Sequence, residues 1–507
     1  RVKTRLEGDS QVSSNRIHCA TGGVRSLGRK MAHVVGESRY QATLFPQRLD
    51  DVVSVDHPAR VIDAFVDSLD LAALGFSNVI AEVTGRPPYE PGDLLKLYVY
   101  GYLNQVRSSR RLAREAQRNV EVFWLINRLA PAFKTIADFR KDHPEAIVGV
   151  CRAFIRFCRE QSLFGGELLA IDGSKIEAVA SRKQVVTPNS LKKKLAAIDR
   201  KVAEYLAAMD EADRQEPATE GIAAADVAAA LTALRVRREE VRRQAEELAT
   251  EGLSQRVVGE PDAKLMRTAR HGHQVAYNAQ SVVDAEHKLI VAFDLTNEGN
   301  DHRLLHPMAV LGRDAVQADV VTTVADTGYS NGEHAQLCED DGITAVVPRA
   351  QVVNPEGLEY FTREAFSYDP NSDTWRCPAG ATLSYRDISQ TKQQKRYATK
   401  ACGGCALKLR CTNGAQRMIV RGFHEDAHQA MHLRAMNDPA WMRKRRCLVE
   451  HPFGTMKWLM GHPRFLVRGL KKAKAELALI ILGFDLKRVI NILGVPALLA
   501  ALKPAPA

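Results

Sequence analysis

Asp172, Asp326 and Glu450 are the acids best placed to do chemistry in this chain. Asp172 closes the apolar run 168–171 and precedes Gly173; Asp326 closes the run 320–325, just before Thr327-Gly328. Glu450 stands among cations in Arg445-Arg446-Cys447-Leu448-Val449-Glu450-His451-Pro452-Phe453-Gly454-Thr455-Met456-Lys457. On a helix, Arg446, Glu450 and Lys457 share one face, because Glu450 lies four residues after Arg446 and seven before Lys457. A carboxylate between cations suits a site that holds a metal ion against phosphate, and it equally suits a surface ion-pair row. With two more acids the first reading gains a mechanism. Two Mg²⁺ ions about 4 Å apart clamp a scissile phosphate, one at the nucleophile and one at the leaving oxygen. Mg²⁺ takes hard oxygen ligands and keeps some waters, so a few carboxylates suffice.

A second constellation is made of thiols. Cys377, Cys402, Cys405 and Cys411 are clustered, and Cys402-Gly403-Gly404-Cys405 has turn chemistry. Four soft donors in this pattern suit a closed, structural Zn²⁺ site, with free buried or surface thiols as the alternative. Lys392, Lys395, Arg396, Lys400, Lys408 and Arg410 lie in and beside the cluster, which suits a zinc-stapled basic knob that grips DNA. Cys19, Cys151, Cys158, Cys338 and Cys447 show no grouping, and His271 and His273 read as surface residues.

The elements that must position these groups follow from patterning. The 507 residues suffice for more than one core, and 45% hydrophobic content is that of a globular protein. No apolar run reaches membrane-span length. The formal charge of +11 is compatible with a polyanion partner. The modest cysteine usage points to a reducing, cytoplasmic compartment. Residues 1–38 read as a disordered leader or an artefact ahead of the natural start, the first methionine being Met31. Residues 39–165 read as a helical domain. Its stripe is Val61, Ile62, Phe65, Val66 and Leu69, and its arginine-rich segment carries Arg107, Arg110, Arg111, Arg114 and Arg118. That segment is either a DNA-docking helix or a solvated cationic face.

Strands are expected at 168–171, 276–283, 289–295, 320–325 and 343–347, with helices at 302–314 and after Ser330 as N-cap. Residues 185–260 interrupt them as a helical hairpin: Leu191, Leu195, Ile198 and Val202 face Leu231, Leu234, Val241 and Leu248. Its role is structural, or that of an arm for dimerisation or DNA contact. Residues 349–437 form a Cys-rich insertion, and 166–348 with 438–495 form the core. This order is that of an α/β, ribonuclease-H-like fold: a mixed five-stranded sheet with helices, in which acids at the ends of strands one and four meet.

With these motifs the chain resembles the DDE transposases of bacterial insertion sequences, in the branch with a Tyr-Arg-Glu-Lys signature. Arg446, Glu450 and Lys457 match that signature, and Arg443 stands where the family has Tyr. Gly85-Arg86-Pro87, Ile171-Asp172-Gly173-Ser174-Lys175-Ile176, Asp262-Ala263-Lys264-Leu265-Met266-Arg267 and Ala325-Asp326-Thr327-Gly328-Tyr329 also look like the family. The resemblance implies Mg²⁺ or Mn²⁺ at Asp172, Asp326 and Glu450. It implies that Arg446 and Lys457 meet DNA phosphate and that Lys175 and Tyr329 lie near the DNA. It further implies hydrolysis at element ends followed by strand transfer, a homodimer on double-stranded DNA carrying terminal inverted repeats, and a place on the nucleoid. The other readings are a DNA-binding protein without catalysis and a metal-dependent nuclease of the same fold.

Overall fold

The computed structural model describes residues 48–503, apart from 81–86, 216–221, 269–271, 351–359, 460 and 462–463. The proposed leader 1–38, Cys19, Gly85-Arg86 and His271 lie outside the described residues.

Helices α1 (Pro58–Asp67), α2 (Pro91–Leu103), α3 (Ser109–Glu115), α4 (Val120–Leu125), α5 (Phe133–Asp142) and α6 (Pro144–Glu160) open the fold. Proline at the first turn starts α1, α2 and α6, where its missing N–H removes no helical bond. The α1 stripe Val61, Ile62, Phe65 and Val66 is buried. The arginine-rich segment is not one helix. The Asn119 side chain accepts from the N–H groups of Glu121 and Val122, so it caps α4 and breaks the run after α3.

Six strands form the central mixed sheet: β1 (Leu168–Glu177), β2 (Lys264–Thr268), β3 (Gly272–Asp284), β4 (Ile290–Thr296), β5 (Val321–Val324) and β6 (Ile343–Val346). β3 pairs antiparallel with β1, β2 and β4. β1 then pairs parallel with β5, and β5 with β6. Two expectations are corrected here. Among the described residues the sheet has six strands, because the segment Lys264–Thr268 pairs along β3 as β2. And β1 does not stop at Asp172; it continues, paired to β3, as far as Glu177.

Helices α7 (Pro188–Gln215) and α8 (Ile222–Thr250) form a long hairpin. Leu191, Ile198, Val241 and Leu248 are its buried seam, and a two-residue antiparallel pairing, Val185–Val186 with Arg256–Val257, closes its base. Helices α9 (Leu305–Val316) and α10 (Gly332–Asp340) flank β4, β5 and β6. The N-cap of α10 is Asn331, whose side chain accepts from His334 N–H, rather than Ser330.

Between the core strands and the C-terminal helices lies a small antiparallel sheet of five strands: β7 (Ser367–Asp369), β8 (Thr374–Arg376), β9 (Thr382–Ser389), β10 (Gln394–Ala398) and β11 (Met418–Gly422). Among the described residues its buried core is Phe366, Trp375, Leu383, Tyr397 and Ile419, with Phe361 and Tyr368 packed against it. Helices α11 (Glu425–Asn437), α12 (Ala440–Leu459), α13 (Leu470–Leu493) and α14 (Val495–Leu502) end the fold. The apolar α13 packs against α2, α6 and β4, so α1–α6 share one continuous core with it. None of the described helices is long and apolar enough to cross a membrane.

Candidate active site

The parallel register of β1 and β5 pairs Ala170 with Val324. Asp172 and Asp326 each lie two residues beyond that pair, so the acids stand side by side, Asp326 just past the end of β5 and Asp172 still paired to Ser281 within β1. Side chains alternate along a strand, which puts Asp172 on the face of Ala170. That face is covered by α12, whose Leu448 and Val449 pack on Ala170, Val324 and Val346.

Arg445, Leu448, Val449 and Pro452 are spaced i, i+3, i+4, i+7 and so lie on one face of α12. Arg445 thereby reaches both acids. Its Nη2 donates to Asp172 Oδ1 at 2.6 Å and to Asp326 Oδ2 at 3.3 Å. Its Nε is buried without a hydrogen-bond partner. Burial pushes the Asp172 carboxyl up to about 6, with Arg445 pulling it back down and Asp326 pushing it further up. Asp326 also accepts from Gly328 N–H at 2.8 Å, which ties down the loop behind it.

Glu450 is exposed. Five residues past Arg445, it points roughly 140° away around the helix. Among the described residues, no three His, Cys, Asp or Glu side chains are grouped to hold a metal ion. The structure therefore brings Asp172 and Asp326 together and leaves Glu450 apart. Arg446, Arg443 and Lys457 are exposed on the same helix.

On the other face of the sheet, a polar network backs the acids. Asp301 accepts from Lys175 Nζ at 3.0 and 3.1 Å, from Asn278 Nδ2 at 2.7 Å and from Gln280 Nε2 at 2.9 Å. Tyr329 is fully buried, and its hydroxyl donates to Gln280 Oε1. Lys175, expected near DNA, is thus paired with Asp301, and Tyr329, expected there too, is enclosed. Gly173 sits where the network crosses β1; a Cβ there would lie 2.3 Å from Gln280 Nε2. Asp301, Asn278 and Gln280, beside the two acids, were not singled out from the sequence, and Arg445 was noted only as one cation of its segment. The available signal was a pair of polar residues, Asn278 and Gln280, two apart in the buried stretch of the strand.

Of the arginines expected to meet DNA, Arg107 lies inside the protein. It is buried, and its Nη1 donates to Arg464 O at 3.1 Å and to the enclosed Glu476 at 3.2 Å. Arg110, Arg111 and Arg114 are exposed, with the Arg110 guanidinium over the Phe133 ring.

The four clustered cysteines line one cavity of about 20 Å³, whose other walls include Phe361, Phe366 and Leu383. The Cys411 thiol is held above its ordinary range, first by burial and also by the neighbouring Cys402, Cys377 and Cys405. Cys151, Cys158 and Cys338 are buried elsewhere, Cys447 is exposed, and so is His273.

Two stretches match protein-family models. Residues 47–142 match a model described as Transposase domain (DUF772). Residues 376–490 match one described as Transposase DDE domain. The second span holds Glu450 and the four cysteines; Asp172 and Asp326 lie outside both. No curated protein matches the chain. A cryo-EM structure of the piggyBac transposase synaptic complex with hairpin DNA aligns over 87% of this chain and 76% of that one, at 9% identity and a TM-score of 0.33. That likeness is too distant to argue from.

Proposed function

We propose that the chain is a DDE transposase with a ribonuclease-H-like core, acting on the ends of an insertion sequence. The observation that carries this is the register that delivers Asp172 and Asp326 to one guanidinium. β4, β3, β1, β5 and β6 run in the order and directions of that fold, and both domain matches are to transposase domains.

The donor set fits a hard divalent cation. Asp172 and Asp326 offer carboxylate oxygens, and a cationic group, the guanidinium of Arg445, already rests between them. Mg²⁺ or Mn²⁺ bound there supplies Lewis-acid polarisation of a phosphate oxygen and a more acidic water. Asp172 and Asp326 would hold the cation, and Glu450 would be the third acid on the helix that covers them. Arg446 and Lys457 meet DNA phosphate from the exposed side of α12, and Arg110, Arg111 and Arg114 offer further phosphate contacts. The network of Asp301, Gln280 and Tyr329 fixes β1 and the Asp326 loop so the two acids keep their spacing. The reaction is hydrolysis at the element end, leaving a 3′-hydroxyl, then attack of that hydroxyl on target DNA. A homodimer on double-stranded DNA handles two ends together.

The four thiols have the chemistry of a structural Zn²⁺ site and line one cavity of about 20 Å³, but as they stand they are not grouped to hold a metal ion, so binding would require them to draw together. A five-residue core is small for a sheet of five strands, and a metal staple offsets that deficit.

One observation favours a different reading, a DNA-binding protein without catalysis: Glu450 stands away from the two aspartates. The test is purified protein with Mg²⁺ or Mn²⁺ and DNA carrying the element's ends. Cleavage and joining are expected, and both should be lost in Asp172→Asn and Glu450→Gln. Binding without cleavage in the unmutated protein would establish the non-catalytic reading. Cleavage without joining would make the protein a nuclease. Cleavage that survives Asp172→Asn would remove this site.

A further inference from the structure

Beside the acids the chain has a cleft that the reading above does not use. It measures about 660 Å³ and begins at Thr327, the residue after Asp326. One wall carries Arg303 and residues 330–333. The other is the 390–394 turn between β9 and β10 together with Val420 and Phe423. The walls meet at Gly332, where a Cβ would come within 3.2 Å of His424 O.

The lining has three chemical parts. Arg303 stands exposed on one wall and Lys392 on the other. Two acids line the cleft: Glu425, neutralised by Arg349 at 2.6 Å and Arg363 at 2.7 Å, and Glu333, exposed on the wall that carries Arg303. Phe423 is 42% exposed and Val420 40%, an apolar step left uncovered inside a polar cleft. Between them lie the amides of Asn331, Gln390, Gln393 and Gln394, which donate and accept without charge.

Cations on facing walls, an open aromatic face and neutral amides are what a single nucleic-acid strand uses: phosphates pair with the cations and a base stacks on the ring. The volume is that of pockets for drug-sized ligands, about 300–1,000 Å³, which takes roughly one or two nucleotides and excludes a duplex. We propose that this cleft holds a single DNA strand running away from the Asp326 loop, with phosphates between Arg303 and Lys392 and a base against Phe423. The proposal rests on the reading of Asp172 and Asp326 as a DNA-processing site. It also gives the Cys-rich sheet a purpose, since that sheet supplies the second wall.

The test is fluorescence anisotropy with a labelled single strand and with its duplex, in chelator and without divalent metal. Binding is then read apart from cleavage. Phe423→Ala should weaken single-strand binding about 10-fold, with duplex binding changed less than about 2-fold. Arg303→Gln with Lys392→Gln should lower the salt slope of single-strand binding by about 1.4, near 0.7 for each phosphate. All three side chains are exposed, and circular dichroism checks that the variants fold. No single-strand binding by the unmutated protein, an unchanged affinity in Phe423→Ala, or an equal loss on duplex overturns the proposal. Failure of the cleavage assay overturns the transposase reading and leaves this measurement standing.

Discussion

Arg445→Gln probes the site at its tightest point. The guanidinium lies 2.6 Å from Asp172 and 3.3 Å from Asp326. The Arg445 and Asp172 side chains are 15% and 20% exposed and Asp326 is 47% exposed, so water screens the second contact far more than the first. A divalent cation at the two acids must displace this guanidinium. A hydrogen bond between charged groups contributes about 1.5–3 kcal/mol, and the shorter Asp172 contact is the one to count. Removing the competitor returns that amount to the metal, and about 1.4 kcal/mol is tenfold in affinity. Mn²⁺ should therefore bind Arg445→Gln about 10- to 100-fold more tightly than the unmutated protein.

Without metal the same variant faces two uncompensated carboxylates and should lose about 2 kcal/mol of stability. That is less than the 3–5 kcal/mol typical of a fully buried broken pair, because Asp326 is half exposed. Calorimetric titration of Mn²⁺ into DNA-free protein gives the affinity, and thermal unfolding with and without Mn²⁺ gives the stability. Adding Asp172→Asn to Arg445→Gln should cancel the gain in affinity. If Arg445→Gln binds Mn²⁺ no more tightly than the unmutated protein, guanidinium and metal do not compete for the same oxygens, and the reasoning fails.

Other outcomes follow from groups outside the acids. Purified protein should carry about one Zn²⁺ per chain, and Cys402→Ser with Cys405→Ser should lose it and unfold at lower temperature; metal analysis finding essentially none in the unmutated protein refutes the thiol site. Burial, aided by Arg349, holds the His428 imidazole down at about 4, and its Nε2 lies 2.8 Å from Ser330 Oγ. The unfolded chain therefore binds more protons than the folded one between its ordinary value, about 6.5, and 4. Stability from this group is complete above pH 6.5 and is lost as pH falls towards 4, by about 2 kcal/mol after allowing for partial exposure. Denaturant titrations should show that loss in the unmutated protein and a flatter profile in His428→Gln; parallel profiles would contradict it.

What the sequence showed and what it hid divide along physical lines. Periodicity records which residues share a face, so the α1 stripe and the α7–α8 seam, both made of side chains buried against local partners, were legible. The length of β1 was not. The apolar run stops at Ile171, but backbone pairing with β3 carries the strand on to Glu177, and backbone bonds leave no mark in side-chain type. β2 was hidden for the same reason, since Lys264 and Arg267 interrupt any apolar run there. The α12 segment shows the limit most clearly. Spacing places Arg446, Glu450 and Lys457 on one face, but only the sheet decides which face of the helix meets the acids. Leu448 and Val449 settle it by packing on Ala170 and Val324, and that choice turns Arg445 inward and Glu450 out to water. Bringing Glu450 to the two acids would require α12 to shift, and the cost of that shift would be the apolar contact of Leu448 and Val449 with the sheet.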